Sequence, residues 1–90
     1  MKITFDFKGS IFGQKEKIEL DLPEDTTILG SLKAISSNIP SLFPLLFKDD
    51  KVRSDIIILV DQLDVKAMNL LTLKLKNEQK IMILPLAHGG

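Results

Sequence analysis

Residues 80–90 read Lys80-Ile81-Met82-Ile83-Leu84-Pro85-Leu86-Ala87-His88-Gly89-Gly90. Residues 80–84 predict a strand, with Ile81 and Ile83 on one face and Met82 and Leu84 on the other. Pro85 stops it, because proline has no N–H to give to a ladder. The chain beyond Pro85 is slender and ends in two glycines, which carry no Cβ to block a close approach. The stretch predicts one structured domain over residues 1–85 and a flexible C-terminal tail over residues 86–90. Fully extended, such a tail reaches at most ~17 Å. At average usage two chosen positions are both glycine about 0.5% of the time. The dipeptide is therefore weak by itself, and its place directly after a strand gives it weight.

Working back from that strand, residues 77–79 (Asn-Glu-Gln) predict a turn. Residues 68–75 predict a turn of helix followed by extended chain. Residues 56–60 (Ile-Ile-Ile-Leu-Val) form an unbroken apolar run, expected for a central strand covered on both faces. Asp61-Gln62 predicts a turn and residues 63–65 a short strand. Residues 48–55 are charged and predict a loop. Residues 41–47 predict a short helical turn interrupted by Pro44. Ile28, Leu29, Leu32, Ile35 and Ile39 recur at helical spacing. Thr26 or Thr27 is set to cap that helix, with Glu24 and Asp25 near its positive end, and Pro40 ends it. Gly30 weakens it by about 1 kcal/mol relative to alanine.

The first residues alternate twice. Ile3, Phe5 and Phe7 oppose Lys2, Thr4 and Asp6; Ile18, Leu20 and Leu22 oppose Lys17, Glu19 and Asp21. A loop over residues 8–15, with Gly9 and Gly13, joins them into a hairpin. The order strand, strand, helix, short helix, strand, short strand, strand predicts an α+β fold. It is a mixed sheet of four to five strands with one main helix packed across one face.

Composition narrows the function. The chain has 90 residues, 12 basic and 12 acidic, with no net charge. Phosphate binding needs clustered Lys and Arg, so nucleic acid is not expected as a direct ligand. No cysteine is present. Disulfides, thiolate metal sites and a cysteine nucleophile are excluded. One histidine with scattered carboxylates does not suit a metal. No window reaches the ~20 apolar residues of a membrane span, and residues 1–6 carry no apolar signal run. The expectation is a cytoplasmic monomer.

The Gly90 carboxylate is inert at neutral pH unless converted into an acyl donor, for instance an acyl-adenylate made with ATP. Nothing in the chain reads G-x-x-x-x-G-K-[ST], so ATP would be used by a partner enzyme and no cofactor is bound. The strand order and the ending Ile83-Leu84-Pro85-Leu86-Ala87-His88-Gly89-Gly90 resemble the ubiquitin-like β-grasp sulfur carriers. These include the ubiquitin-related modifier, the archaeal small modifier proteins, the thiamin-pathway sulfur carrier and the molybdopterin synthase small subunit. Residues 75–85 resemble the family's approach of Leu, turn, apolar strand and Pro, and Val60-Asp61-Gln62 resembles the turn after the central strand. His-Gly-Gly is most like the ubiquitin-related modifier. Asn77-Glu78-Gln79 departs from the family's Asp-Gly-Asp-like turn.

The resemblance implies a carrier and modifier, not a catalyst. An activating enzyme adenylates Gly90, and sulfur then replaces oxygen to give a thiocarboxylate. The sulfur serves tRNA thiolation, and the activated end can also be joined to lysines of target proteins. Gly89 and His88 are expected to be read by the activating enzyme. In the β-grasp arrangement, Phe12, Leu59, Met82 and Leu84 are expected to form an apolar docking patch beside the tail root. Two other readings compete: the molybdopterin synthase small subunit, donating sulfur to a pterin precursor, and an interaction module whose Gly-Gly is incidental. The acidic pairs Glu24-Asp25 and Asp49-Asp50 read as capping and loop charges.

Overall fold

Ile3, Phe5 and Phe7 point to one side of strand β1 (Lys2–Phe7), and all three are buried. A computed structural model of the chain describes residues 1–86. β1 pairs antiparallel with β2 (Ile18–Asp21), from Lys2 opposite Asp21 to Phe5 opposite Ile18. Between them a 3-10 turn, Ser10–Phe12, is closed by Gly13 at φ 69°. One residue of β1 departs from the alternation. Asp6 lies on the face opposite Phe5 yet is only 7% exposed, with its carboxylate 3.3 Å from Lys8 Nζ.

Helix α1 (Ile28–Asn38) comes next. Thr27 caps it, its Oγ1 accepting the Gly30 N–H at 3.0 Å. Such a cap is worth about 1 kcal/mol. A Cβ on Gly30 would stand 3.3 Å from Thr27 Oγ1, so the glycine makes room for the capping side chain. Ile28, Leu32 and Ile35 are buried, while Leu29 and Ile39 pack at the margin. Ser31 and Ser36 are buried as well. Their hydroxyls donate back to the Ile28 and Leu32 carbonyls at 2.6 and 2.8 Å, which satisfies them within the helix.

A second 3-10 turn (Pro40–Leu42) leads into α2 (Phe43–Leu46). The expected loop over residues 48–55 contains a small hairpin instead. β3 (Phe47–Lys48) pairs with β4 (Lys51–Val52) across Asp49 and Asp50, both at positive φ. Adjacent residues of this conformation make the tight turn that matches strand twist, and aspartate tolerates it. Asp61 and Gln62 make the same kind of turn between β5 (Ile56–Val60) and β6 (Leu63–Asp64).

The last strand, β7 (Lys80–Pro85), lies at the middle of the five-stranded sheet, in the order β2-β1-β7-β5-β6. It runs parallel to β1 and antiparallel to β5. β5 lies inside the sheet, between β7 and β6, but it is not covered on both faces. Ile56, Ile58 and Val60 are buried, whereas Ile57 and Leu59 are half-buried on the other face. With Ile81 and Ile83, the buried Ile56, Ile58 and Val60 meet the apolar side of α1 in one core, completed by Leu42, Leu46 and Phe47. This is the ubiquitin-like β-grasp fold.

The predicted helical turn within residues 68–75 does not form. The segment runs through turns whose carbonyls face the start of α1. Leu73 O accepts the Ile28 N–H at 3.0 Å, and Leu71 O accepts the Leu29 N–H at 2.8 Å. The first N–H groups of a helix have no partner within it, and here a distant segment provides one.

Candidate functional site

The open face of the sheet is set by register. Leu59 stands opposite Met82, and Ile57 opposite Leu84. All four are half-buried on the side away from α1. Asp6 adjoins Met82 from β1, and Asp64 faces Leu59 from β6. A hollow of about 280 Å3 is lined by Leu59, Met82, Asp61, Gln62 and Lys80. An apolar strip with charged margins thus runs along β5 and β7 toward the end of the described chain.

Leu59, Met82 and Leu84 lie together on this face, where alternation along the two strands predicts them. Phe12 does not, which corrects the expected patch. It is 3% exposed, and its ring packs 5.3 Å from that of Phe7, in the core. Gly13, in left-handed conformation, turns the chain so that Phe12 folds inward and its neighbour Ile11 is exposed. Ile57 joins the patch unexpectedly, although its alternation with Ile56 and Ile58 puts it on the same face as Leu59.

The chain leaves this strip through Pro85 and Leu86. Of residues 86–90 only Leu86 is described; His88, Gly89 and Gly90, and with them the expected activation and recognition positions, lie outside the described residues. Leu86, expected to have no strand partner, donates its N–H to the Asp55 carbonyl at 2.9 Å. On the β1 side, the loop closes over Pro85: a Cβ on Gly9 would stand 3.0 Å from Pro85 Cδ, and Gly9 has φ 105°. A groove of about 250 Å3 opens here between Ile11, Pro44, Leu45 and Leu86.

Three charged side chains that no sequence pattern singles out surround this exit. Arg53 donates from Nε and Nη2 to the two carboxylate oxygens of Asp55, each at 2.9 Å. That pairing raises the Arg53 pKa above its ordinary value. Lys66 Nζ donates to the Arg53 and Ile56 carbonyls at 2.6 and 2.7 Å. Partial burial lowers the Lys66 pKa, against the opposing pull of Asp64 and Asp55. The Lys66 bonds join residues 10 and 13 apart in the chain, so no local pattern announces them. Among the described residues no cluster of three or more His, Cys, Asp or Glu side chains could hold a metal. Nor, among them, is any helix long and apolar enough to cross a membrane.

The family described as Urm1 (Ubiquitin related modifier) matches residues 2–90. Solved structures share the fold, among them the following three. SAMP1 from Haloferax volcanii is 18% identical, with TM-score 0.85 over 100% of both chains. Urm1 from Trypanosoma brucei is 23% identical, with TM-score 0.73 over 99% of this chain and 95% of that one. A chain in the complex of subunits 1 and 2 of the molybdopterin-converting factor from Helicobacter pylori is 23% identical, with TM-score 0.62 over 100% of both.

Proposed function

The chain belongs to the ubiquitin related modifier family, a family of ubiquitin-like sulfur carriers and protein modifiers, and from that premise we propose that it works through the carboxylate of Gly90. A partner enzyme uses ATP to adenylate that carboxylate, releasing pyrophosphate. A sulfide-level donor then displaces AMP and leaves a thiocarboxylate on Gly90. The sulfur passes to an acceptor, of which tRNA is the one the family membership favours. Alternatively, a lysine amine of a target protein attacks the adenylated carbonyl, expels AMP with loss of a proton, and forms an isopeptide. The chain supplies the handle and the docking surface; the partner supplies the chemistry.

The observation that carries this reading is the family match through residue 90. It is supported by the half-buried strip of Ile57, Leu59, Met82 and Leu84, which runs toward the chain's exit at Leu86. An activating enzyme that grips this strip brings the terminal residues to its own nucleotide site. His88 and Gly89 are then the positions it reads. The cytoplasm, where ATP is available, is a compartment that suits this chemistry.

Intact mass measurement of the protein from its native cell tests the proposal. A gain equal to one oxygen replaced by sulfur, localised to Gly90, is the expected result. Recovery only as isopeptides on other proteins would make modification the main role. Stable co-purification with one larger subunit, with sulfur passing to a pterin, would place it instead beside the molybdopterin-converting factor. Finding no form altered at Gly90, even with the cognate activating enzyme and ATP, would overturn the reading.

A further inference from the structure

The edge of β5 that faces β6 is only partly covered. The Val65 N–H reaches the Ile58 carbonyl at 3.1 Å, and there the strand pairing ends. The next carbonyl along that edge, that of Ile56, is met by a side chain: Lys66 Nζ at 2.7 Å. The same ammonium holds the Arg53 carbonyl at 2.6 Å. Hydrogen bonds from a charged donor are short and strong, so one lysine substitutes for a missing length of strand.

The opposite side of this run is held from α2. The Arg53 N–H donates to the Leu46 carbonyl at 2.8 Å, and its Nη1 donates to the Pro44 carbonyl at 3.3 Å. The rest of the guanidinium closes on the Asp55 carboxylate in a two-pronged pair. A planar fork of this kind fixes orientation as well as distance. Residues 53–56 are thus clamped between α2 and Lys66. The clamped run presents the Asp55 carbonyl to the Leu86 N–H at 2.9 Å. Pro85 has no N–H to give, so this bond is what ties the backbone down past the proline.

We propose that Lys66 and Arg53 are positioning residues that hold the Asp55 carbonyl in place, so that Leu86 is pinned and the backbone at Leu86 is aimed in one direction. The inference rests on the proposed role of Gly90, since direction matters only if a partner must receive that end. Anchoring at Leu86 leaves four residues beyond it, a reach of at most ~14 Å. An end leashed so short loses little freedom when it enters a narrow active site, and that loss otherwise weighs on the reaction. The lowered Lys66 pKa agrees with an ammonium seated partly out of water.

The test compares the full chain with Lys66→Met, which keeps an apolar stem and removes the donors, and with Arg53→Gln. Amide hydrogen exchange at Leu86 is read by NMR beside the core amides of Ile58 and Ile83. Leu86 is expected to exchange roughly 5-fold faster in both variants, with the core amides unchanged. ATP–pyrophosphate exchange by the activating enzyme of the source cell is expected to show kcat lower by roughly 3- to 10-fold at unchanged KM, because the docking strip is intact. Unchanged Leu86 exchange in both variants overturns the anchor. Faster exchange with unaltered kcat overturns its positioning role. If the wild-type chain is not activated at all, the proposed function fails, while the amide measurement still decides the anchor.

Discussion

Gly9 and Pro85 touch so closely that a Cβ on Gly9 would stand 3.0 Å from Pro85 Cδ. The loop after β1 therefore crosses the end of β7 so tightly that an added Cβ would push Pro85 aside by a few tenths of an ångström. Gly9 also has φ 105°, a conformation that side chains rarely adopt. Gly9→Ala is expected to destabilise the fold by about 2 kcal/mol, read as a lower urea midpoint. Gly13→Ala is expected to cost less, about 1 kcal/mol. Gly13 has positive φ too, but nothing lies within 4 Å of its added Cβ. Equal costs at the two positions would show that the contact with Pro85 contributes nothing.

Adjacent Ile11 and Phe12 separate cleanly into a surface and a core residue, at 61% and 3% exposure. Phe12→Ala is expected to cost about 3 kcal/mol, because it empties space against Phe7. Ile11→Ala is expected to change stability by less than about 0.5 kcal/mol. Thermal and urea unfolding of the two variants checks both. A small loss at Phe12 would contradict its place in the core.

Leu59 and Met82 face one another on the open side of the sheet. Leu59→Lys and Met82→Lys are each expected to weaken capture by the activating enzyme roughly 30-fold, seen in KM for ATP–pyrophosphate exchange. Lys33→Glu on α1, whose buried side faces the core across the sheet, serves as the control and is expected to leave KM unaltered. If all three variants behave alike, docking does not use the open face.

Lys66 is expected to titrate below 10.5, since partial burial disfavours its charged form more than Asp64 and Asp55 favour it. Between its folded pKa and 10.5 the unfolded chain holds a proton that the folded chain has released. The contribution of Lys66 to stability therefore rises with pH across that window and is lowest below it. A 13Cε NMR titration of Lys66 measures the midpoint directly. A midpoint at or above 10.5 would contradict the desolvated seat.

Much of the fold could be read from period alone. Residues 2–7 alternate strictly, and β1 has those bounds in the structure. Thr27, one of the two threonines expected, caps α1, since the hydroxyl and the apolar spacing lie within a few residues of each other. The failures have a common physical source. Ser31 and Ser36 are buried because each hydroxyl finds a carbonyl one turn back, which an apolar count overlooks. The direction of Phe12 is decided by the backbone at Gly13 rather than by hydrophobicity. Residues 71 and 73 serve α1 through their carbonyls, so their side chains carry no trace of the task. Leu59, Met82 and Leu84 were legible because alternation assigns a face. The clamp of Lys66 on the Arg53 and Ile56 carbonyls was not, because those groups meet only after the chain has folded.

The parallel pairing of β1 with β7 also governs when the domain can form. The strand made last lies between strands made much earlier, and both wait for it. Until residues 80–85 have been synthesised, Phe5 and Phe7 lack the neighbours Ile81 and Ile83, and β5 has an open edge. Contacts so distant in sequence close slowly and leave apolar surface uncovered in the meantime. A truncated chain therefore cannot complete the sheet. The strand that finishes the fold is the same one that leads into residues 86–90.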